Sequence, residues 1–332
     1  MIWFTWRQFR SQTVIAAATL VAFGVLLLIT ARTITDLYAE VAACSGDCDG
    51  VVEVFLSRFR SSAAFPTYVA ALGAAYLLPV LLGIFWGAPL IARELEAGTH
   101  RLAWNQSVTR TRWLAVKLVA GGAIAATSTG LLALAVTVWS QRVDSASQDR
   151  MLPLLYGSRG IVPVAYALFA FLLGVTTGML LRRVVPAIAA TLAIYVAALV
   201  AMPLWVRAHL VPAEHETLAL TAQNLQGVSI SPDTGTIDVV GRGLDGGWVV
   251  SNRTITSDGS TFSGPVDLTT CGPNATMTQC NEWLGSLGLR QDLLYHPDSH
   301  FWPMQWAEAG VFIGLAALLG AFCFWWIRHR IV

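Results

Sequence analysis

YVAALGAAYLLPVLLGIFWGAPLIA, residues 68–92, runs without a single Asp, Glu, Lys or Arg. As an α-helix it is about 37 Å long, enough to cross a hydrocarbon core of about 30 Å. Five more long apolar windows lie on either side of it, at 13–31, 113–139, 160–181, 186–206 and 304–327. The 332-residue chain is 55% hydrophobic and 12% charged, where a soluble domain has about 25% charged residues. Its mean hydropathy is +0.59. The sequence therefore reads as an all-α polytopic membrane protein with six transmembrane helices. A formal net charge of +1, with no basic tract interleaved with aromatics, argues against a nucleic-acid partner.

Basic residues near helix ends are retained on the cytoplasmic side, and here they fall in alternate connections. Arg7 and Arg10 precede the first window, while Arg93, Arg101, Arg110, Arg112 and Lys117 flank the second connection. Arg182 and Arg183 fill the fourth, and Arg328 and Arg330 close the chain. Both termini are expected in the cytoplasm, and 32–67, 140–159 and 207–303 outside. The arginine-rich, lysine-poor composition points to a GC-rich bacterial genome, hence a bacterial plasma membrane. An uncleaved first anchor is expected and not a signal peptide, because Asp36 and Glu40 separate the apolar run from the lipoprotein-like Val41-Ala42-Ala43-Cys44.

Cysteines agree with this orientation, since disulfides persist outside the cytoplasm. Cys44 and Cys48 lie in the first outer loop, Cys271 and Cys280 in the long one, and Cys323 in the last window. Nearness in the chain favours Cys44 with Cys48 and Cys271 with Cys280; a cross-link between the loops and zinc binding are the alternatives. Within 207–303, short Val/Ile/Thr runs punctuated by Asp-Gly-type turns over 227–268 read as strands. Residues 211–225 read as helical or, on their charges Glu214, His215 and Glu216, equally as a loop, and the pattern Trp283, Leu284, Leu287, Leu289, Leu293, Leu294 reads as helical. Together these make a small extracellular α+β insertion between helices 5 and 6.

Residues for catalysis are sparse. The chain has no Gly-x-x-x-x-Gly-Lys-Ser/Thr phosphate loop, no His-Glu-x-x-His and no Gly-x-Ser-x-Gly, and its single lysine is Lys117. No catalytic residue is assigned, and energy must come from elsewhere. His296, Asp298 and His300 could ligate a metal from an extended backbone, but Pro297 interrupts the run and a solvated turn is the preferred reading, so no metal is expected. Glu308, with Gln305 three residues before it, is the clearest ionisable residue inside a window. Its expected role is to complement the positive end of the sixth helix, with gating or substrate contact as the second reading.

Directly after the opening stretch, residues 92–110 read ARELEAGTHRLAWNQSVTR. Charges alternate with Leu95, Leu102 and Trp104, and a Gly-Thr step offers a helix stop followed by a new cap. A solvated loop explains the arginines but not the apolar residues, so a docking element for a partner is preferred.

This stretch resembles the type 2 ABC transporter permeases, the membrane subunits of many bacterial exporters. In that family the second helix ends in Arg-Glu-x-Glu-x-Gly-Thr, and here Arg93, Glu94, Glu96, Gly98 and Thr99 hold those places. The family continues with a Pro-Val-Ser-Arg-like step and a basic residue entering the third helix. This chain reads Ser107-Val108-Thr109-Arg110 and then Lys117, with serine in the proline position. The resemblance covers most of the chain but not the long outer segment.

The resemblance implies a permease subunit paired with a second permease copy or a paralogue, and with two cytoplasmic P-loop ATPase subunits that bind ATP and Mg. No cofactor is implied for this chain, which is not itself an enzyme. Arg93, Glu94, Glu96, Gly98, Thr99, Arg101 and Arg110 would form the coupling loop, within 93–112, that rests on the ATPase. Residues 1–12 would be an N-terminal amphipathic elbow helix, placing Trp3 and Trp6 in the lipid headgroup zone and Arg7 and Arg10 toward phosphates. The domains are then the elbow 1–12, helices 1–5 over 13–206, the extracellular domain 207–303, and helix 6 with a cytoplasmic tail over 304–332. The scarcity of charge along the windows suggests a hydrophobic or amphiphilic cargo such as a lipid, a drug-like metabolite or a peptide, and the resemblance implies outward transport. The alternative is a membrane-anchored sensor or assembly factor with an extracellular binding domain.

Overall fold

The computed structural model describes residues 2–46, 48–98, 109–222, 225–231, 236–241, 246–264, 267–271 and 276–330. The chain divides into two compact units, Met1–Leu210 with Trp302–Val332, and Val211–Phe301. Among the described residues, six helical stretches are long and apolar enough to cross a bilayer: Ala17–Ala43, Ala64–Glu96, Arg110–Ser147, Val162–Leu181, Val184–His209 and Asp298–His329. The protein is thus a multi-pass membrane protein.

Helix α1 (Ile2–Ala43) is continuous, so the segment expected as a separate elbow over 1–12 runs into the first span without a break. The cause is local: no Pro or Gly occurs before Gly24 to interrupt the backbone hydrogen bonds. The side chains of Trp3, Trp6, Arg7 and Arg10 lie outside the described residues. The stretch read as an outer loop holds a second helix, α2 (Asp49–Ser61). Its Phe55 and Phe59 are buried with Leu27, Ile34, Leu132, Val136 and Trp139, which is why a segment of mixed charge folds back onto the bundle. The Cys44–Cys48 disulfide closes the turn between α1 and α2.

The second span is built from three pieces: α3 (Ala64–Leu81), a π-helical stretch (Leu82–Gly87) and α4 (Ala88–Glu96). Pro79 lies inside α3 and Pro89 in the first turn of α4. Proline removes a helical donor and crowds the preceding turn, so the looser π geometry between the two prolines has a local cause. Helices α5 (Arg110–Ser147), α6 (Pro153–Tyr156) and α7 (Val162–Leu181) follow. Helix α8 (Val184–Ala201) continues through a π stretch (Met202–Val206) into a 3₁₀ turn (Arg207–His209). A Cβ at Gly83 or Gly87 would overlap the carbonyl oxygens of Ala170 or Phe171, and one at Gly174 or Gly178 those of Gly83 or Ala88. Two Gly-x-x-x-Gly steps thus interlock the second and fourth spans at backbone distance. Of Gly121, Gly122 and Gly130 in α5, only Gly121 is held this closely, against the ring of Phe171.

The unit Val211–Phe301 has a three-stranded antiparallel sheet in the order β1 (Glu214–Ala219), β5 (Arg290–His296), β4 (Trp248–Ile255), and a separate hairpin of β2 (Leu225–Ser231) and β3 (Thr236–Gly241). Two helical readings fail here. Residues 214–219 form an edge strand because their side chains alternate between more and less exposed along β5. Residues 290–296 form the central strand because helix α10 (Met277–Ser286) stops before Gly288, whose φ of +64° breaks the helical run. Thr276 and Gln279 form a capping box at the start of α10, and the Cys271–Cys280 disulfide ties it to the short α9 (Leu268–Cys271). Leu220, Val239, Leu284 and Leu289 bury around that disulfide. The last span follows as α11 (Phe301–His329).

Candidate functional site

Ionisable side chains inside an apolar bundle must be paired, because each unpaired buried charge costs several kcal/mol, of order 3–5 when a partner is removed. Three such pairs occur among the described residues of the bundle. In the first, Arg207 Nε donates to Glu308 Oε2 at 2.7 Å and its Nη2 to Oε1 at 3.1 Å, with side-chain exposures of 2% and 0%. Tyr166 donates its hydroxyl to the same carboxylate, Arg207 Nη1 donates to the carbonyl of Pro153 at 2.9 Å, and the guanidinium lies 4.5 Å from the ring centre of Tyr156. Glu308 therefore ties α7 and α11 to the 3₁₀ turn that follows α8, a more specific role than complementing a helix end.

The second pair is Arg159 with Asp144, bidentate at 2.8 and 3.3 Å. Ser140 and Tyr68 also donate to this carboxylate, at 2.7 and 3.3 Å. Gln305 completes the cluster from α11: its amide oxygen accepts the backbone N–H groups of Ile161 and Val162 at 3.0 and 3.1 Å, and its nitrogen donates to the carbonyl of Tyr156 at 3.1 Å. The start of α7 has no cap from its own Ile161, so Gln305 satisfies donors that the helix leaves open. Segment 153–162 is thereby held by side chains of α3, α5, α11 and the 3₁₀ turn after α8, with Tyr76 donating to the carbonyl of Leu154 at 2.8 Å.

The third pair lies at the far end of the second span. Lys117 of α5 is 5% exposed, pairs with Glu94 of α4, and lies 4.5 Å from the ring centre of Trp113. Two residues on, Glu96 accepts the backbone N–H of Val184 at 3.1 Å. Arg93 is exposed, and Gly98 ends α4 with φ of +68°. Arg110 opens α5, where Thr109 caps the helix by accepting from the N–H of Arg112 at 3.3 Å. Thr99 and Arg101 lie outside the described residues, with the rest of 99–108. The structure thus joins Glu94 to Lys117 and Glu96 to the start of α8. It joins Gln305 and Glu308 to the other end of the bundle.

Reading the residues one at a time missed Asp144, Arg159 and Arg207, which sit at the edges of the apolar windows and pass for loop. The available signal was charge at a window boundary with an opposite charge at another. In the other unit, His296 Nδ1 lies 3.4 Å from His300 Nδ1, and His300 Nε2 lies 3.4 Å from Glu214. Among the described residues, no group of three or more His, Cys, Asp or Glu is arranged to hold a metal ion.

No curated protein and no solved structure matches the chain. The family model described as ABC-2 membrane transporter related matches residues 17–207. That stretch is more than half of the chain and carries its first five spans, including the Glu94–Lys117 and Asp144–Arg159 pairs. The chain therefore belongs to the ABC-2 membrane transporter related family and is a type 2 ABC permease component.

Proposed function

We propose that this chain is the permease subunit of an ATP-driven exporter, energised by two cytoplasmic P-loop ATPase subunits and completed by a second permease copy or paralogue. One observation carries the reading: in a chain with no phosphate loop, the family's Arg-Glu-x-Glu-x-Gly-Thr motif closes α4 and leads into the connection to α5. ATP binding by the partners would displace this connection, and the spans would move as packed bodies to open a path between permease halves. The positive-inside pattern supports an inward-facing connection and an outward-facing Val211–Phe301.

The ion pairs also bear on the cargo. Arg207, Arg159 and Lys117 each face a carboxylate of this same chain. A charged cargo would have to compete with these bidentate or buried contacts, so a hydrophobic or amphiphilic cargo suits the spans better. The folded core of Val211–Phe301 favours one second reading, a sensor or assembly factor whose outer unit binds a ligand.

Gentle purification of the chain from its native membrane separates the two readings. The transporter reading expects a P-loop ATPase recovered in near-equal amount. Repeated recovery of the chain without any nucleotide-binding partner would overturn it in favour of the sensor.

A further inference from the structure

The acidic half of the motif is committed inside this chain. Lys117 is the only lysine in the sequence, and it is buried in the second turn of α5. Its Nζ meets the Glu94 carboxylate and lies 3.4 Å from the Leu90 carbonyl, so both of its acceptors belong to the last turns of α4. A lysine is a compact point charge on a flexible stem, costly to bury without a partner, and here Glu94 is that partner. Glu96 acts on a different span. Arg183, the residue before α8, makes no side-chain cap, and the carboxylate of Glu96 takes the N–H of Val184 instead, where the helix dipole favours a negative charge. The end of α4 is therefore tied by one glutamate to α5 and by the next to α8. Among the described residues around the same connection, the exposed charged side chains are Arg93, Glu96 and Arg112, and of these Glu96 is engaged with the N–H of Val184.

We propose that Glu94 and Glu96 are positioning residues that lock the end of the second span to the third and fifth. Among the described residues, the contact with the ATPase then falls to Arg93 and Arg112, against an acidic surface of the partner. This rests on the transporter reading and assigns the opposite job to the motif's glutamates from that of a docking contact. A push on the connection is then delivered to three spans at once. Without the lock it would bend the last turn of α4.

The test is a double-mutant cycle on the purified permease–ATPase complex, with Glu94→Gln, Lys117→Met and the pair combined. Two readouts are taken: the ATPase retained per permease and the ATP hydrolysed per ATPase. Each single variant is expected to lower hydrolysis by about tenfold, within the range of coupling between sites, while retaining the ATPase. The combined variant is expected to be no worse than the worse single one, because the second change removes a partner already lost. Arg93→Glu with Arg112→Glu is expected to lose the ATPase while the permease keeps its thermal stability. Independent, multiplying effects of Glu94→Gln and Lys117→Met would overturn the proposal. So would loss of the ATPase on Glu94→Gln alone with Arg93→Glu/Arg112→Glu silent. Wild-type complex without an ATPase contradicts the transporter reading instead, so the two failures are distinguishable.

Discussion

Glu308 illustrates how much of a residue's role is set by its partner. From the sequence it is an ionisable residue in a membrane helix, and the helix dipole accounts for it adequately. The structure gives it Arg207, 101 positions earlier, together with Tyr166. No spacing rule joins residues that far apart, so the carboxylate was legible and its function was not. Removing one partner from a buried pair leaves an uncompensated charge, so Glu308→Ala is expected to cost about 3–5 kcal/mol. Thermal unfolding in detergent should show this as a Tm drop of several degrees. Replacing both partners, as Arg207→Met with Glu308→Leu, should recover most of that loss, because an apolar pair of similar volume leaves no charge stranded. A Glu308→Ala Tm equal to wild type would show that the pair does not stabilise the fold. Lys117 follows the same pattern: read along the chain it marks topology, and in the fold it is the counter-ion of Glu94.

At the scale of elements, the apolar windows identified all six spans, because about 20 apolar residues in a helix have few other stable placements. Their ends were less legible. Helix α5 extends to Ser147 and the second span to Glu96, since polar residues at a helix end can find partners in neighbouring helices. Along the chain, β1 and β5 fit a helix as well as a strand, because short runs of mixed polarity suit either period until a neighbouring strand selects one. Glycines show the same limit. Gly122 and Gly174 are both glycines within membrane helices, yet only the latter abuts another backbone. Gly174→Ala must displace the carbonyl of Gly83 and is expected to destabilise by about 1–3 kcal/mol. Gly122→Ala meets nothing nearer than Leu168 at 3.8 Å and should be neutral or stabilising by up to about 1 kcal/mol. Unfolding of the two variants side by side checks the contrast, and an equal loss in both would remove the interlocked seam from the account.

For the molecule as a whole, the sequence carried the membrane class and the family, through composition and one motif. It did not carry the network of three buried pairs, which depends on which spans become neighbours. The orientation rests on the positive-inside pattern and can be read directly. The two described disulfides, Cys44–Cys48 and Cys271–Cys280, should be closed in cells and become reactive to a membrane-impermeant thiol reagent only after reduction. Labelling of those cysteines only after the cells are opened would reverse the sidedness. We propose that this chain is one half of a permease driven by separate ATPases. The most direct measurement is the intact mass of the natively purified complex in detergent. The account predicts an assembly with two permease chains and two P-loop ATPase chains, which loses ATP hydrolysis when the two components are separated. A mass corresponding to permease chains alone, from membranes in which every ATPase is accounted for in other complexes, would contradict it.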